Sequence, residues 1–252
     1  MLSIKAFIQK FNRNKDLKTL NGVFSVDNGK LIKSTEKEYE ITDKTVIILG
    51  FNLPAVDTCV GAGACKNYCF ATTGHMNINQ PRYAWNLYRY HNGSLFYQIA
   101  DFLSIKRFNN PTIPIFVRIH ACGDFFNEDY LAKWVDVAEQ FPSITFYGYT
   151  KSIRVFKNVF SARAIPSNFK FVFSIGGIED CLIEPSDRIC LIRPDKSYPI
   201  PDGFIDGMDN DLVVATTTSN ICLTLHSKTK DAEYNLTKKL YEFWVKKLGD
   251  KH

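Results

Sequence analysis

The fold turns on three consecutive stretches: Ile115-Phe116-Val117-Arg118-Ile119-His120-Ala121-Cys122-Gly123, Glu128-Asp129-Tyr130-Leu131-Ala132-Lys133-Trp134-Val135-Asp136-Val137-Ala138-Glu139-Gln140, and Ile144-Thr145-Phe146-Tyr147-Gly148-Tyr149-Thr150. The first and last are short, β-branched or aromatic, and alternate residue by residue, which marks strands. Between them Leu131, Trp134, Val135 and Ala138 recur at helical spacing, and Asn127 stands where an N-cap belongs. Strand, helix and strand in this order make a parallel unit.

The pattern continues outward. Downstream it expects a helix over 153–164, strands over 169–175, 188–192 and 212–217, and a closing helix over 231–248. That helix turns Leu236, Leu240, Phe243, Trp244 and Leu248 inward, with Gly249 as its stop. Upstream it expects helices over 82–90 and 94–107. The apolar run Thr45-Val46-Ile47-Ile48-Leu49-Gly50 suits a strand covered on both faces. Turn chemistry at Asp27-Asn28-Gly29 predicts a hairpin over 22–42, and residues 2–15 suit a short basic helix. The fold class is therefore α/β, with a mostly parallel sheet, open or curled into a partial barrel, behind a small N-terminal hairpin. One domain is expected over 1–252: an extension (1–43), a body (44–220) and a C-terminal helix (229–249).

The 252 residues are 45% hydrophobic, enough for a real core. No apolar run is long enough for a membrane span, and Met1 to Lys18 lacks the pattern of an export signal. Seven cysteines in such a chain read as reduced thiols in a cytoplasm. The net charge of +5 permits a nucleic-acid partner but concentrates no basic patch for one.

Alternation separates the two faces of each strand. Ile115, Val117 and Ile119 oppose Phe116, Arg118, His120 and Cys122. Ile144 and Phe146 oppose Thr145, Tyr147 and Tyr149. Phe169, Phe171, Phe173 and Ile175 oppose Lys170, Val172, Ser174 and Gly176. The second set grows polar toward the carboxyl ends of the strands, where α/β folds build their sites. It is either the wet face of an open sheet or the wall of a ligand cavity. Arg118 suits a carboxylate or phosphate. His120 suits a hydrogen bond or a proton transfer. Asp124 suits an amino group or a helix cap. Tyr149 ends the adjacent strand, and Lys151 is placed for an anion or for solvent.

Cys59-Val60-Gly61-Ala62-Gly63-Ala64-Cys65-Lys66-Asn67-Tyr68-Cys69 follows the first apolar strand with spacing C-x5-C-x3-C. Gly61 and Gly63 let the backbone curl so that three sulfurs meet. Three thiolates are one short of a closed zinc site, for which His75 or Cys222 is a candidate fourth ligand. They suit an iron–sulfur cluster, 4Fe–4S or 3Fe–4S, with one corner left open or absent. Cys122 is a candidate fourth cluster ligand.

Several motifs in this order resemble the bacteriophage gene-product-88 family. They are Cys59-x5-Cys65-x3-Cys69-Phe70-Ala71, Gln80-Pro81-Arg82 with Trp85-Asn86-Leu87, Arg118-Ile119-His120-x2-Gly123-Asp124-Phe125, Tyr147-x-Tyr149-Thr150-Lys151-Ser152, and Phe173-Ser174-x-Gly176-Gly177. The resemblance spans roughly residues 45 to 180 and implies a phage origin, hence a host cytoplasm. More distantly the layout is similar to radical S-adenosylmethionine (SAM) enzymes, whose usual spacing is C-x3-C-x2-C. That similarity implies a partial (β/α)6 barrel over 44–220 with the cluster at Cys59, Cys65 and Cys69. It further implies a SAM amino group met at Gly123-Asp124, and ribose and adenine met by Ser174, Gly176 and Gly177.

Three functions follow as expectations. The first is a radical-SAM-like enzyme with SAM on an open iron. The second is a non-catalytic iron–sulfur redox, sensor or interaction protein that engages a host protein. The third is a zinc-stapled nucleic-acid-binding module.

Overall fold

The computed structural model describes residues 32–33, 46–63, 65–66, 69–72, 74–208, 212–225 and 231–249. Its strands are β1 (Ile32–Lys33), β2 (Ile47–Phe51), β3 (Ile115–Ile119), β4 (Ile144–Thr150), β5 (Phe169–Ser174), β6 (Ile189–Arg193), β7 (Phe204–Asp206) and β8 (Asn220–Thr224). They form one sheet in the order β1-β2-β3-β4-β5-β6-β8-β7. β1 runs antiparallel to β2, and the other seven strands run parallel. The helices are α1 (Gly74–Ile78), α2 (Gln80–His91), α3 (Leu95–Asn109), α4 (Glu128–Gln140), α5 (Ile153–Ala162), α6 (Val213–Thr216) and α7 (Asp231–Gly249). Apart from β1, the expected N-terminal hairpin and helix lie outside the described residues. Among the described residues, no helix is long and apolar enough to cross a membrane.

From β2 to β6 the strands lie side by side in chain order. Right-handed crossovers between such neighbours place the connecting helices on one face. The burial pattern agrees: Leu49, Val117, Phe146, Phe173 and Leu191 share one core with Ile99 of α3, Trp134 of α4, Phe156 of α5 and Trp244 of α7. Asn127 caps α4 as expected, its Oδ1 accepting from the Tyr130 amide at 2.8 Å.

The opposite face departs from expectation. Ile48, Phe116, Tyr147, Val172, Cys190 and Ile221 form a second apolar core there, closed by Leu212, Val213 and Val214. The expected strand over 212–217 is thus a one-turn helix, α6, that plugs the sheet. Arg188 explains this choice against the β-branched sequence. Its guanidinium donates to the carbonyls of Val213, Val214 and Ser219 and to Thr217 Oγ1, satisfying the end of a helix too short to stabilise itself. The true strand, β8, begins three residues past Thr217, and β7, unforeseen, lies at the sheet's edge.

α7 keeps most of its expected face, with Trp244 and Leu248 on the core, and departs from it at Phe243. Thr237, Tyr241 and Trp244 are buried while Phe243 is 59% exposed. Leu236 and Leu240 wall a cavity.

Candidate functional site

The site is built where the loop after β2 crosses the carboxyl ends of the strands. Ala62 bridges Gly177 in antiparallel fashion, and the Ile178 amide donates to Gly61 O at 2.9 Å. A Cβ on Gly61 would stand 1.9 Å from Lys151 O, and one on Gly63 would stand 2.7 Å from Gly176 O. These glycines therefore serve close approach to the ends of β4 and β5. Neither of them has a positive φ, and the loop turns at both, the Ala62 amide donating to Cys59 O at 3.2 Å and the Lys66 amide to Gly63 O at 3.3 Å.

Cys59, Cys65 and Cys69 are half-buried, and Cys122 is buried. Burial pushes the Cys59 and Cys69 thiols up, and Cys122 up to about 12. The sulfurs also influence one another: Cys59 is raised further by Asp124, Cys69 and Cys122, while Cys69 is raised by Cys65. Cys69 is thus the common neighbour of the other three. Opposing this, backbone amides favour the thiolates: that of Val56 at Cys59, those of Ala71 and Thr72 at Cys69, and that of Ala55 at Cys122. Among the described residues, no three His, Cys, Asp or Glu side chains stand close enough together to hold a metal ion. The donor chemistry fits a thiophilic centre; the side-chain spacing is not that of a preformed ligand set. The His75 side chain lies outside what is described. Cys222 has Arg193, Asp206 and Cys190 as its charged or titrating neighbours, in β8 and away from the thiol loop.

His120 corrects the face assignment. β3 ends at Ile119, and His120 takes a left-handed φ of 66°, which breaks the alternation. Its ring enters the helix-side core between Phe51, Phe125 and Tyr130, sharing a 3.1 Å hydrogen bond from Nε2 to Tyr130 Oη. Burial lowers its pKa to about 3, so the imidazole is neutral.

Asp124 is a clip between strand ends. Its carboxylate accepts from Thr150 Oγ1 (2.6 Å) and the amides of Phe125 (2.7 Å) and Lys151 (2.8 Å). Burial still holds its carboxyl above the usual value, these bonds offsetting part of the rise. Lys151 is half-buried and its ammonium is committed, donating to Ser174 O (2.9 Å), Ser174 Oγ (3.0 Å) and Ile175 O. Burial lowers its pKa, opposed by the charges of Cys65, Asp180, Cys190 and Asp124. The amides of Gly176 and Gly177 both point at the Asp180 carboxylate, at 2.8 and 2.9 Å. Arg118 is half-buried on the inner face between Gly50 and Tyr147, and Tyr149 packs beside the α6 plug.

Gln80 has a role that composition did not reveal. Its Oε1 accepts from the Ala55 amide, and its Nε2 donates to Ala71 O, Met76 O and Cys122 Sγ at 2.9, 3.2 and 3.2 Å. One buried amide thereby ties both ends of the cysteine loop to the fourth thiol. The signal was its place at the first position of α2, just before Pro81, in the helix that follows the cysteine loop. Gln80→Leu removes the side-chain amide that bonds the Ala55 amide, the Ala71 and Met76 carbonyls and Cys122 Sγ, and is expected to cost about 2 kcal/mol, read by urea denaturation. An unchanged midpoint would contradict the tie.

These features define a class: a parallel α/β protein with a cysteine-bearing loop laid across the carboxyl ends of its strands. The chain belongs to the gene product 88 family, whose model matches residues 22–239. No curated protein and no solved structure matches it.

Proposed function

We propose that the thiol loop binds an iron–sulfur cluster through Cys59, Cys65 and Cys69, with Cys122 as candidate fourth ligand. The observation that carries this reading is the buried Gln80 amide, which bonds the Ala55 amide and the Ala71 carbonyl at the two ends of the cysteine loop and donates to Cys122 Sγ at 3.2 Å. Amides so placed favour thiolates and tune the centre they hold. When bound, a cluster supplies one-electron chemistry. The protein's part is to exclude water by burial, hold the sulfurs through the Gln80 tie, and keep the loop against β4 and β5.

A radical-SAM-like partial barrel is the finer reading of the fold. It is supported by the chain-order run of parallel strands and by the thiol loop leaving the first of them. SAM itself has weaker support. Asp124, Ser174, Gly176 and Gly177, the groups assigned to it, already serve Thr150, Lys151 and Asp180. A non-catalytic redox or sensing role therefore fits the geometry better than SAM cleavage.

The test is anaerobic reconstitution with iron and sulfide, followed by metal and sulfide analysis and a visible spectrum. Cys65→Ser is expected to lose the chromophore, and Cys122→Ser to keep iron while changing the electron paramagnetic signal. Zinc at one equivalent without sulfide overturns the cluster. Formation of 5′-deoxyadenosine from SAM and reductant would restore the enzymatic reading.

A further inference from the structure

We infer that the cavity at the carboxyl ends of β5 and β6 is a binding site for a neutral small molecule with a hydrocarbon body. It is partly open to solvent and offers about 270 Å³, lined by Cys65, Lys151, Ile175 and Leu191 together with Leu236 and Leu240 of α7. Thr237 adds a hydroxyl. The ligand's chemistry follows from what the rim has already committed. Lys151 spends its three donors on Ser174 and Ile175. The Gly176 and Gly177 amides, otherwise an anion nest, are closed by Asp180. A carboxylate or phosphate would have to displace these bonds, whereas a neutral apolar molecule leaves them in place and packs on Ile175, Leu191, Leu236 and Leu240. A 150 Å³ apolar cavity holds benzene, so by that scale this one takes about ten non-hydrogen atoms. The inference goes beyond the cluster reading and stands without it, since Ile175, Leu191, Leu236 and Leu240 line the space whether or not Cys65 holds a cluster.

Indole is a probe of matching size, and indole-3-carboxylate its charged counterpart. Calorimetric titration of the full chain after chelation is expected to show saturable, one-to-one indole binding, about tenfold or more tighter than the carboxylate. Leu240→Trp fills the space and is expected to weaken indole by about tenfold. A second measurement needs no variant. Bound indole is expected to slow alkylation of Cys65 by iodoacetamide, followed by peptide mass spectrometry, while leaving the exposed Cys181 unaffected. Absence of saturable binding, equal binding of the carboxylate, or an unprotected Cys65 each overturns the site.

Discussion

Gly61→Ala is expected to lower stability by about 3 kcal/mol, which for a chain of this size shifts the thermal midpoint by roughly 6–12 °C. The new Cβ would meet Lys151 O at 1.9 Å and Ser152 N at 2.9 Å, and both are backbone atoms that cannot rotate away. Relief requires moving the loop off the end of β4, which also disturbs the Ala62–Gly177 bridge. Gly203→Ala is the control. Gly203 has a φ of +78° but nothing within 4 Å of its Cβ position, so only the conformational cost of about 1 kcal/mol applies. Equal effects of the two substitutions in thermal melts would show that close approach is not what selects glycine at 61.

Acidification is expected to weaken the fold through His120. Its native pKa of about 3 lies below the ordinary value of 6.5, so the unfolded chain takes up a proton that the folded chain refuses. Stability is complete above the unfolded value and is lost as pH falls toward the native one. The full effect is about 4–5 kcal/mol, of which about 2 kcal/mol is gone by pH 5. Asp124 acts in the opposite sense. Its raised native pKa makes the folded state the better proton acceptor, so its contribution improves as pH falls through that value. His120→Asn separates the two, because asparagine tolerates the left-handed backbone and does not titrate. Urea denaturation at pH 7, 6 and 5 is expected to give a steep decline in the parent and a shallower one in the variant. Parallel curves would mean that the imidazole is not the sensor.

Much of the architecture was written in local pattern. The alternation of Ile144–Thr150 and the stripe of Leu131, Trp134, Val135 and Ala138 behind Asn127 gave β4 and α4 with their boundaries. What escaped was tertiary. Val213 to Thr217 reads as strand because β-branching is local, whereas the Arg188 bonds that make it helical come from β6's side of the chain. His120 reads as inward-facing only if the strand continues, and a single backbone rotation ended it. On α7 only Phe243 was misjudged, while Leu236 and Leu240 turn inward onto a cavity, which periodicity cannot distinguish from a core. In the site, the cysteines and glycines were visible as residue types. Their neighbours, Lys151, Gly176, Gln80 and Asp180, lie on separate elements, and only the fold brings them together.

The bridge from Ala62 to Gly177 sets an order of events. The thiol loop rests on chain synthesised more than a hundred residues later, so local sequence alone cannot shape it. A peptide containing only the cysteine run would lack its support, and a nascent chain truncated before β5 would expose the thiols unorganised. Maturation of this face is thus a late step, governed by completion of the sheet.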